Sequence, residues 1–342
     1  MINLSTLKNG ITSLLFSTIS FLGCKKDSTP VNPPDNPPVP KVAHWTKVAN
    51  LNNQNMRYIG TFEYNTKMYF VADSFSFNGT KFAIFEYDST NKILNTFTSF
   101  RSVGNEYSPS VFLINDNLYL HTQTSNFITI LRSFNMISGN WTNKNGYTLS
   151  NNTPPTIKIG SFAANNKGYV LLNSAGAIPG IEIKEYDPLA NTWIYKYGSL
   201  YSMNFFGNII QSSNRFLFLA NNKKLAEYNT NLNELTAKAD YPDTHVDLNA
   251  FSFSIGDIIH AGTGGYMSSS GNTVTSNNTH ADYWTYNINT NVWTKQDPFD
   301  GGNRSNALGF TYNGKGYVLG GYKVDSSLMQ RVGCHDLWRY VP

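Results

Sequence analysis

Short apolar runs and polar turns alternate along most of the chain. Six of the runs directly follow a turn rich in Asn, Asp or Gly: NTKMYFVAD, NDNLYLHTQ, NNKGYVLLN, SNRFLFLAN, IGDIIHAGTGG and NGKGYVLGG. Such turns favour β-hairpins, and the runs have strand length and many aromatic and β-branched residues. After the N-terminal segment the sequence shows no sustained helical periodicity. The pattern therefore predicts an all-β fold.

Pairs of bulky residues recur with a fixed spacing. In each pair an aromatic residue ends a predicted strand, a polar turn follows, and a large apolar residue stands seven places later. The five pairs are Tyr87 and Leu94, Phe134 and Trp141, Tyr186 and Trp193, Tyr228 and Leu235, and Tyr286 and Trp293. Together with the hairpins they define repeats of about 42–58 residues with four antiparallel strands, a to d. Repeats of this kind predict the blades of a β-propeller.

The last repeat lacks its final strand. Tyr340 occupies the position of the aromatic residue, but the sequence ends at Pro342, before a partner could follow. Trp45, in the first predicted strand, has no strand c before it. The sequence therefore predicts that Trp45 supplies the missing partner and that the N-terminal strand closes the ring, which also protects exposed strand edges. The prediction is a six-bladed propeller over residues 42–342, with blades at about 52–100, 101–149, 150–200, 201–243, 244–299, and 300–342 plus 43–51.

Residues 1–23 are typical of a secretory signal peptide. Lys8 supplies the positive charge, and the apolar stretch ITSLLFSTISFLG ends just before Cys24. The ending FLGC resembles the lipobox of bacterial lipoproteins, with Phe21 where Leu is usual, and CKKD resembles the start of many Bacteroidetes-type lipoproteins. The resemblance implies a lipid on Cys24 and a cell-envelope location, as an outer-membrane lipoprotein that could be displayed at the cell surface. The alternative is an ordinary cleaved signal followed by an accidental Cys.

Residues 24–41 form a predicted tether. The segment STPVNPPDNPPVPK is too rich in proline for a helix or an internal strand, and it favours an extended polyproline conformation. At about 3.1 Å per residue it could hold a folded domain roughly 40 Å from a membrane. We therefore expect the protein to reach the membrane through its N-terminal lipid only.

The last repeat resembles a kelch repeat, a motif of β-propellers. It contains the strand-b aromatic Tyr317, the diglycine Gly320–Gly321 and the run Asp336–Tyr340, and the fifth repeat has Gly264–Gly265, Asp282, Trp284, Tyr286 and Trp293 in matching order. The first four repeats keep the aromatic spacing but lack the diglycine. The resemblance covers residues 43–342 and is strongest in the last third. It implies a propeller of the galactose oxidase and kelch-like superfamily, with no particular activity.

Composition and charge restrict the chemistry. The chain is 40% hydrophobic and 14% charged, and its net charge of +4 is spread along the sequence, which does not favour nucleic-acid binding. The glycine-rich stretch GTGGYMSSSG lies between predicted strands rather than before a helix, so nucleotide binding is not expected. His280 and His335 occupy equivalent positions before strand c, where a structural hydrogen bond is favoured over metal binding. We predict neither a metal nor any other cofactor.

Cys334 is the second of two cysteines. If Cys24 carries a lipid, Cys334 has no disulfide partner in the chain, and we expect it to be a small, buried or half-buried residue. An oxidase resembling galactose oxidase would need this thiol for a Cys-linked Tyr and would have a seventh blade. The resemblance therefore does not extend to that activity.

Candidate ligand residues lie in the b–c and d–a connections, which kelch propellers place around the channel mouth. The b–c loops of blades 5 and 6, YMSSSGNTVTSNNTH and YKVDSSLMQRVGC, are the longest. Arg beside Tyr suits carboxylates, or sugar rings stacked on aromatic faces, and we expect these arginines to contribute more to binding than to folding. The predicted mouth residues are Arg57, Tyr107, His245, Asp247, Tyr266, Arg304, Tyr322 and Arg331. The alternative is that each is an ordinary solvated loop residue.

The sequence supports two functional hypotheses. The favoured one is a monomeric, lipid-anchored, non-catalytic module that binds a glycan or a protein partner. The other is a carbohydrate-active enzyme of the mutarotase or epimerase kind, because another six-bladed kelch group, the sialic-acid mutarotases, uses acid–base chemistry at the channel mouth. No single residue carries that activity over to this chain. A carboxylate, an Arg and a His within hydrogen-bond reach would favour the enzyme.

Overall fold

The strands of the protein form antiparallel four-stranded sheets arranged as a propeller. The computed structural model describes residues 44–51, 56–76, 79–102, 104, 106–126, 128–147, 157–174, 180–199, 208–212, 214–220, 223–242, 250–265, 267–270 and 273–342. The predicted signal peptide, Cys24 and the tether lie outside these residues. Within them, six sheets are blades and a seventh is an accessory sheet. The predicted all-β, six-bladed fold is confirmed.

Blades 1 to 4 each use four consecutive strands in the order a, b, c, d. Blade 1 contains β2 (Arg57–Tyr64), β3 (Lys67–Ser76), β4 (Gly79–Asp88) and β5 (Ile93–Arg101). Blade 2 contains β6 (Tyr107–Ile114), β7 (Asn117–Gln123), β8 (Thr129–Asn135) and β9 (Trp141–Lys144). Blade 3 contains β10 (Ile157–Ala164), β11 (Lys167–Ser174), β12 (Gly180–Asp187) and β13 (Thr192–Ser199). Blade 4 contains β14 (Asn208–Ser212), β15 (Arg215–Leu219), β16 (Leu225–Asn229) and β17 (Glu234–Ala237).

Blades 5 and 6 contain strands that are not consecutive in the sequence. Blade 5 contains β18 (Phe251–Ile255), β19 (Ile258–Gly262), β22 (Tyr283–Asn287) and β23 (Val292–Gln296). Blade 6 contains β24 (Leu308–Tyr312), β25 (Lys315–Leu319), β28 (Asp336–Val341) and, as its strand d, β1 (His44–Asn50).

The N-terminal strand closes the ring, as predicted. β1 pairs antiparallel with β28, and Trp45 lies opposite Tyr340. The same opposition occurs in the other five blades, where the facing pairs are Tyr87 and Leu94, Phe134 and Trp141, Tyr186 and Trp193, Tyr228 and Leu235, and Tyr286 and Trp293. The seven-residue spacing in the sequence is therefore one contact between strands c and d, repeated in every blade.

Trp45 is packed between blades 5 and 6. It is 7% exposed. Its ring centroid lies 4.7 Å from that of Phe299, 5.3 Å from that of Tyr340 and 5.4 Å from that of Tyr283. Two of these three contacts are edge-to-face, an arrangement that adds to the free energy gained by burying the rings. The strand that completes blade 6 thus also fixes blade 6 to blade 5.

Each blade is a separate sheet, and no backbone ladder among the described strands links one blade to the next. Near the channel, hydrogen bonds from side-chain hydroxyl groups join neighbouring blades. The donors lie on strand a of one blade and the acceptors on strand a of the blade before it. Ser161 Oγ donates to the carbonyl of Val111 (3.0 Å), Ser254 Oγ donates to that of Gln211 (2.5 Å), and Thr311 Oγ1 donates to that of Ser254. These bonds satisfy inner-strand carbonyls that would otherwise be buried without a partner.

An accessory sheet replaces the long loops predicted in blades 5 and 6. Its strands are β20 (Met267–Ser270), β21 (Thr273–Asn277), β26 (Tyr322–Asp325) and β27 (Gln330–Gly333). Each b–c connection folds into a hairpin, and the two hairpins meet through β21 and β27. These strands could not be predicted, because they are short and have no alternating apolar face. The sheet stands on the face of the propeller that carries the b–c and d–a connections.

Candidate functional site

A recess of about 530 Å³ opens between blades 6 and 1, on the face that carries the b–c and d–a connections. Its walls are the start of β2, the end of β3, the residues on either side of β24 and β25, and β27 with the residues that follow it. The accessory sheet therefore supplies one wall. The polar residues of the lining are Arg57, Tyr58, Asp73, Ser74, Asn306, Tyr322, Arg331 and His335.

Arg57 and Asp73 form an ion pair in this recess. They lie opposite each other on β2 and β3. The Nε atom of Arg57 donates to Oδ1 of Asp73 over 3.0 Å, and Nη2 donates to Oδ2 over 2.6 Å. The Asp73 side chain is completely buried, whereas 46% of the Arg57 side chain is exposed. Asp73 thus holds the guanidinium group in a fixed orientation at the recess wall.

Arg331 and Tyr322 lie on neighbouring strands of the accessory sheet. The guanidinium carbon of Arg331 lies 4.6 Å from the centroid of the Tyr322 ring, a cation–π arrangement. Arg331 is exposed. Within the described part of the chain, no carboxylate lies at ion-pair distance from it. Its positive charge is therefore not neutralised by any described residue.

His335 and Cys334 complete the wall next to β27. An added Cβ at Gly333 would lie 3.1 Å from the His335 ring, so this imidazole packs closely against the Gly333 backbone. The His335 carbonyl accepts a hydrogen bond from the Leu51 amide over 2.6 Å, which links the segment before strand c to the end of β1. Cys334 is buried, as predicted, and burial raises the pKa of its thiol.

Tyr58 brings a buried hydroxyl group to the recess. Its Oη atom has no hydrogen-bond partner among the described residues. Burial raises the pKa of the Tyr58 hydroxyl to about 12, so this group stays protonated at neutral pH. A buried polar group without a partner is uncommon in folded proteins and often marks a place for water or a ligand.

The recess favours anions. Its described lining contains two guanidinium groups, those of Arg57 and Arg331, and the imidazole of His335. Asp73 is the one carboxylate in that lining; its charge and that of Arg57 cancel, so Arg331 supplies the unpaired positive charge. Among the described residues, no three or more His, Cys, Asp or Glu side chains are grouped to hold a metal ion. The arrangement suits a carboxylate-bearing molecule of modest size.

The predicted mouth residues separate into four groups, the last of which is Arg304 alone. Arg57, Tyr322 and Arg331 come together in the recess, although they are far apart in the sequence. Tyr107 is 39% exposed at the start of β6 in blade 2, and it does not line the recess. His245, Asp247 and Tyr266 lie outside the described residues.

Arg304 differs from the other predicted residues because it is buried, with 1% of its surface exposed. Its Nη1 atom donates to Oδ1 of Asp336 over 2.7 Å and to the Gly320 carbonyl, and its Nη2 atom donates to the Gly301 carbonyl. In blade 5 the hydroxyl of Tyr241 donates to the equivalent carboxylate, Asp282, over 2.8 Å. Asp282 and Asp336 thus each fix the d–a connection that leads into their own blade. The expectation that Arg304 contributes more to binding than to folding does not fit this position.

The central channel is polar and almost uncharged. It holds a cavity of about 730 Å³ lined by strand a of every blade, and Glu63 is the one charged residue in its described lining. The hydroxyls of Ser110 and Ser252 are buried there without a hydrogen-bond partner among the described residues. The channel therefore offers neutral donors and acceptors, whereas the recess offers positive charge.

Several recess residues were not predicted from the sequence. Asp73 ends an apolar run as its one charged residue, and Tyr58 directly follows Arg57. Burying a carboxylate in a strand costs free energy unless the charge is paired. The position of Asp73 in an apolar run was therefore the one sequence feature that indicated an ion pair here. His335 was predicted to have a structural role, and its main-chain carbonyl does accept a structural hydrogen bond. Its ring also lines the recess.

The six blades and their closure by the N-terminal strand define the protein as a six-bladed β-propeller. Among solved structures it is similar to the structure of YjhT, with a TM-score of 0.60 and 13% sequence identity, over 83% of this chain and 94% of that one. At this identity the likeness shows the fold alone. No family model and no curated protein matches the sequence. In the described residues there is no helix long and apolar enough to cross a membrane.

Proposed function

We propose that the protein is a lipid-anchored module of the cell envelope that binds a carboxylate-bearing glycan in the recess between blades 6 and 1. The observation that carries the proposal is the convergence of Arg57, Arg331 and His335 on one recess whose carboxylate is already paired. Arg–carboxylate pairs combine charge with a planar geometry, which makes them suited to recognising acidic groups.

The remaining lining fits a sugar rather than a simple ion. The volume of about 530 Å³ lies within the range of about 300–1,000 Å³ that is common for small-molecule sites. The Tyr322 ring offers an aromatic surface, while Tyr58, Ser74 and Asn306 offer groups that can hydrogen-bond to sugar hydroxyls. An acidic sugar would place its carboxylate between the two guanidinium groups.

Arg331→Ala is expected to weaken the binding of an acidic glycan by about 10–100-fold, because a hydrogen bond to a charged group contributes about 1.5–3 kcal/mol. The free energy of unfolding should stay within about 0.5 kcal/mol of the wild-type value, since the residue is exposed. The affinity can be measured by calorimetry on Val42–Pro342, which forms one compact unit, with a ligand taken from a glycan panel.

Lys323→Ala is the matched control, because Lys323 is an exposed cation on the same accessory sheet but outside the recess lining. It should bind like the wild type. Arg57→Ala is less informative, because it would also leave the buried Asp73 carboxylate without its partner. If acidic and neutral glycans bound equally well, or if none bound, the glycan proposal would be wrong; in the second case a protein ligand would become the better hypothesis.

The lipid anchor is tested at Cys24. Cys24→Ser should move the protein from the membrane fraction to the soluble fraction, because the residue that would carry the acyl chains is lost. Cell fractionation followed by immunoblotting measures this. Ser28→Ala, in the tether, should leave the distribution unchanged. A Cys24→Ser protein that stayed with the membrane would contradict the anchor.

A second candidate function is acid–base catalysis on a sugar, of the mutarotase or epimerase kind. The observation in its favour is that a carboxylate, an Arg and a His line the same recess. Both Asp73 oxygens accept hydrogen bonds from Arg57, however, so this carboxylate is poorly placed to take a proton. His335 and Tyr58 would have to transfer protons instead. If wild-type protein accelerated anomer exchange of sialic acid in NMR, and His335→Ala did not, the enzyme would replace the binding module.

A further inference from the structure

In each of blades 1 to 5 one exposed aliphatic side chain lies in the connection between strands c and d or begins strand d. The residues and their exposed fractions are Ile93 (42%), Ile137 (74%), Leu189 (95%), Leu232 (64%) and Val292 (52%). Single exposed apolar residues are normal on a protein surface. Repetition at the same end of five consecutive blades is not, since exposed apolar groups that recur on one face often mark a binding surface.

These turns do not need an aliphatic residue in order to form. Each begins with an Asp or Asn whose side-chain oxygen accepts two backbone amides of the turn. In blade 3, Oδ1 of Asp187 accepts from the amides of Leu189 (2.8 Å) and Ala190 (3.2 Å). Asp88, Asn135, Asn229 and Asn287 do the same in the other four blades. The turns are therefore fixed locally, and the aliphatic side chains project from rigid supports without adding to the core.

All five turns lie on one face, because every blade has the same strand direction. We name it the turn face. It is opposite the face of the b–c and d–a connections, where the recess opens. Blade 6 has no such turn; there Val341 lies opposite His44, so the chain enters the propeller on the turn face. The segment before His44 leads back to Cys24, the proposed site of the lipid.

We propose that the turn face rests on the lipid surface, with the five aliphatic side chains inserted among the lipid headgroups. The proposal rests on the lipid anchor of the proposed function and adds an orientation to it. An anchored chain that enters at this face brings the aliphatic residues close to the membrane, whereas the recess points to the opposite side. A stiff tether that holds the propeller away from the membrane is the competing arrangement.

Two of the lysines near the turn face are paired with carboxylates. Lys67 pairs with Glu86 over 2.8 Å, and Lys167 pairs with Asp187 over 2.5 Å. Paired side chains present little net charge to a lipid surface. The aliphatic side chains supply the apolar contact that interfacial binding needs, and the covalent lipid supplies the second signal that makes membrane binding stable.

The orientation can be measured on the lipidated full chain in phosphatidylcholine vesicles that contain brominated phosphatidylcholine. An NBD fluorophore is attached through Leu189→Cys on the turn face or through Ser326→Cys, an exposed position on the accessory sheet. Cys334 is buried and should not react. Quenching at position 189 should be at least about threefold greater than at position 326, because side chains of interfacial segments reach only about 5–10 Å into the bilayer.

Two sets of substitutions make the test specific. Ile93→Asn, Ile137→Asn, Leu232→Asn and Val292→Asn together should lower quenching at position 189 to the level seen at position 326. The matched control, Ile128→Asn with Leu328→Asn, removes two exposed aliphatic residues from the opposite face and should change nothing. Thermal melts confirm that each variant is folded.

Three results would overturn the proposal, and they differ in what they say about the anchor. Equal quenching at both positions in vesicle-bound protein would show that the propeller stands away from the membrane, with the anchor intact. A chain that does not float with the vesicles would overturn the anchor as well. A lipid-free dimer of the Cys24→Ser protein that the four Asn substitutions dissociate would show that a second copy covers the turn face.

Discussion

Trp45→Ala is expected to lower the free energy of unfolding of the whole propeller by about 3–5 kcal/mol, the range typical for truncating a buried aromatic residue. The ring of Trp45 touches aromatic residues from both blades that it joins, among them Phe251 and Phe253 of blade 5 and Tyr340 of blade 6. A domain is typically stable by about 5–15 kcal/mol, so the loss is a large share of the total. The midpoint of urea denaturation should fall accordingly.

Lys47→Ala is the control for this experiment, because Lys47 is an exposed residue of the same strand. Its effect should stay within about 0.5 kcal/mol. If Trp45→Ala left the midpoint unchanged, the ring would not depend on β1, and closure by the N-terminal strand would be structurally unimportant.

Arg304→Ala should also cost about 3–5 kcal/mol, because removing one partner of a buried ion pair leaves the other charge uncompensated. Asp336 would lose its guanidinium partner, and the carbonyls of Gly301 and Gly320 would lose a donor. Burial alone would raise the pKa of Asp336, but the hydrogen bond and charge of Arg304 lower it below its usual value. The ion pair therefore contributes fully to the free energy of unfolding above the usual Asp pKa of about 4. This contribution is lost as the pH falls through the lower pKa that Asp336 has in the folded protein.

Arg331→Ala separates this structural role from the binding role, since Arg331 is an exposed arginine of the accessory sheet. Urea denaturation at pH 7 should show a large shift for Arg304→Ala and almost none for Arg331→Ala. Equal, small shifts would mean that Arg304 is not needed for folding, and a role in ligand binding would again be expected for it.

The propeller could be predicted from the sequence because its main contact is local and repeated. Tyr186 and Trp193 are close in the sequence and face each other across one turn, and the same holds in four other blades. A single unmatched copy at each end then predicted the pairing of Tyr340 with Trp45. Because the same contact recurs in every blade, the long-range pairing of Tyr340 with Trp45 could be inferred from the five short-range pairs.

The recess could be predicted only in part, because its contacts join different repeats and do not recur. Arg57 and Arg331 were chosen for their residue type and loop position, and both line it. Arg304 satisfied the same criteria, yet it is buried against Asp336. Residue type alone does not distinguish a solvated arginine from one that satisfies a buried carboxylate, since the partner is not close in the sequence.

The pairing of β1 with β28 has a consequence for the order in which the protein folds. The first described strand finds its partner only in the last one, so this contact has a very high sequence separation and a high loop-closure entropy. Blades 1 to 5 can each form from neighbouring segments, whereas blade 6 must wait for both ends of the domain. During synthesis the incomplete ring therefore keeps an unpaired strand edge and an empty aromatic pocket, the kind of intermediate on which chaperones act.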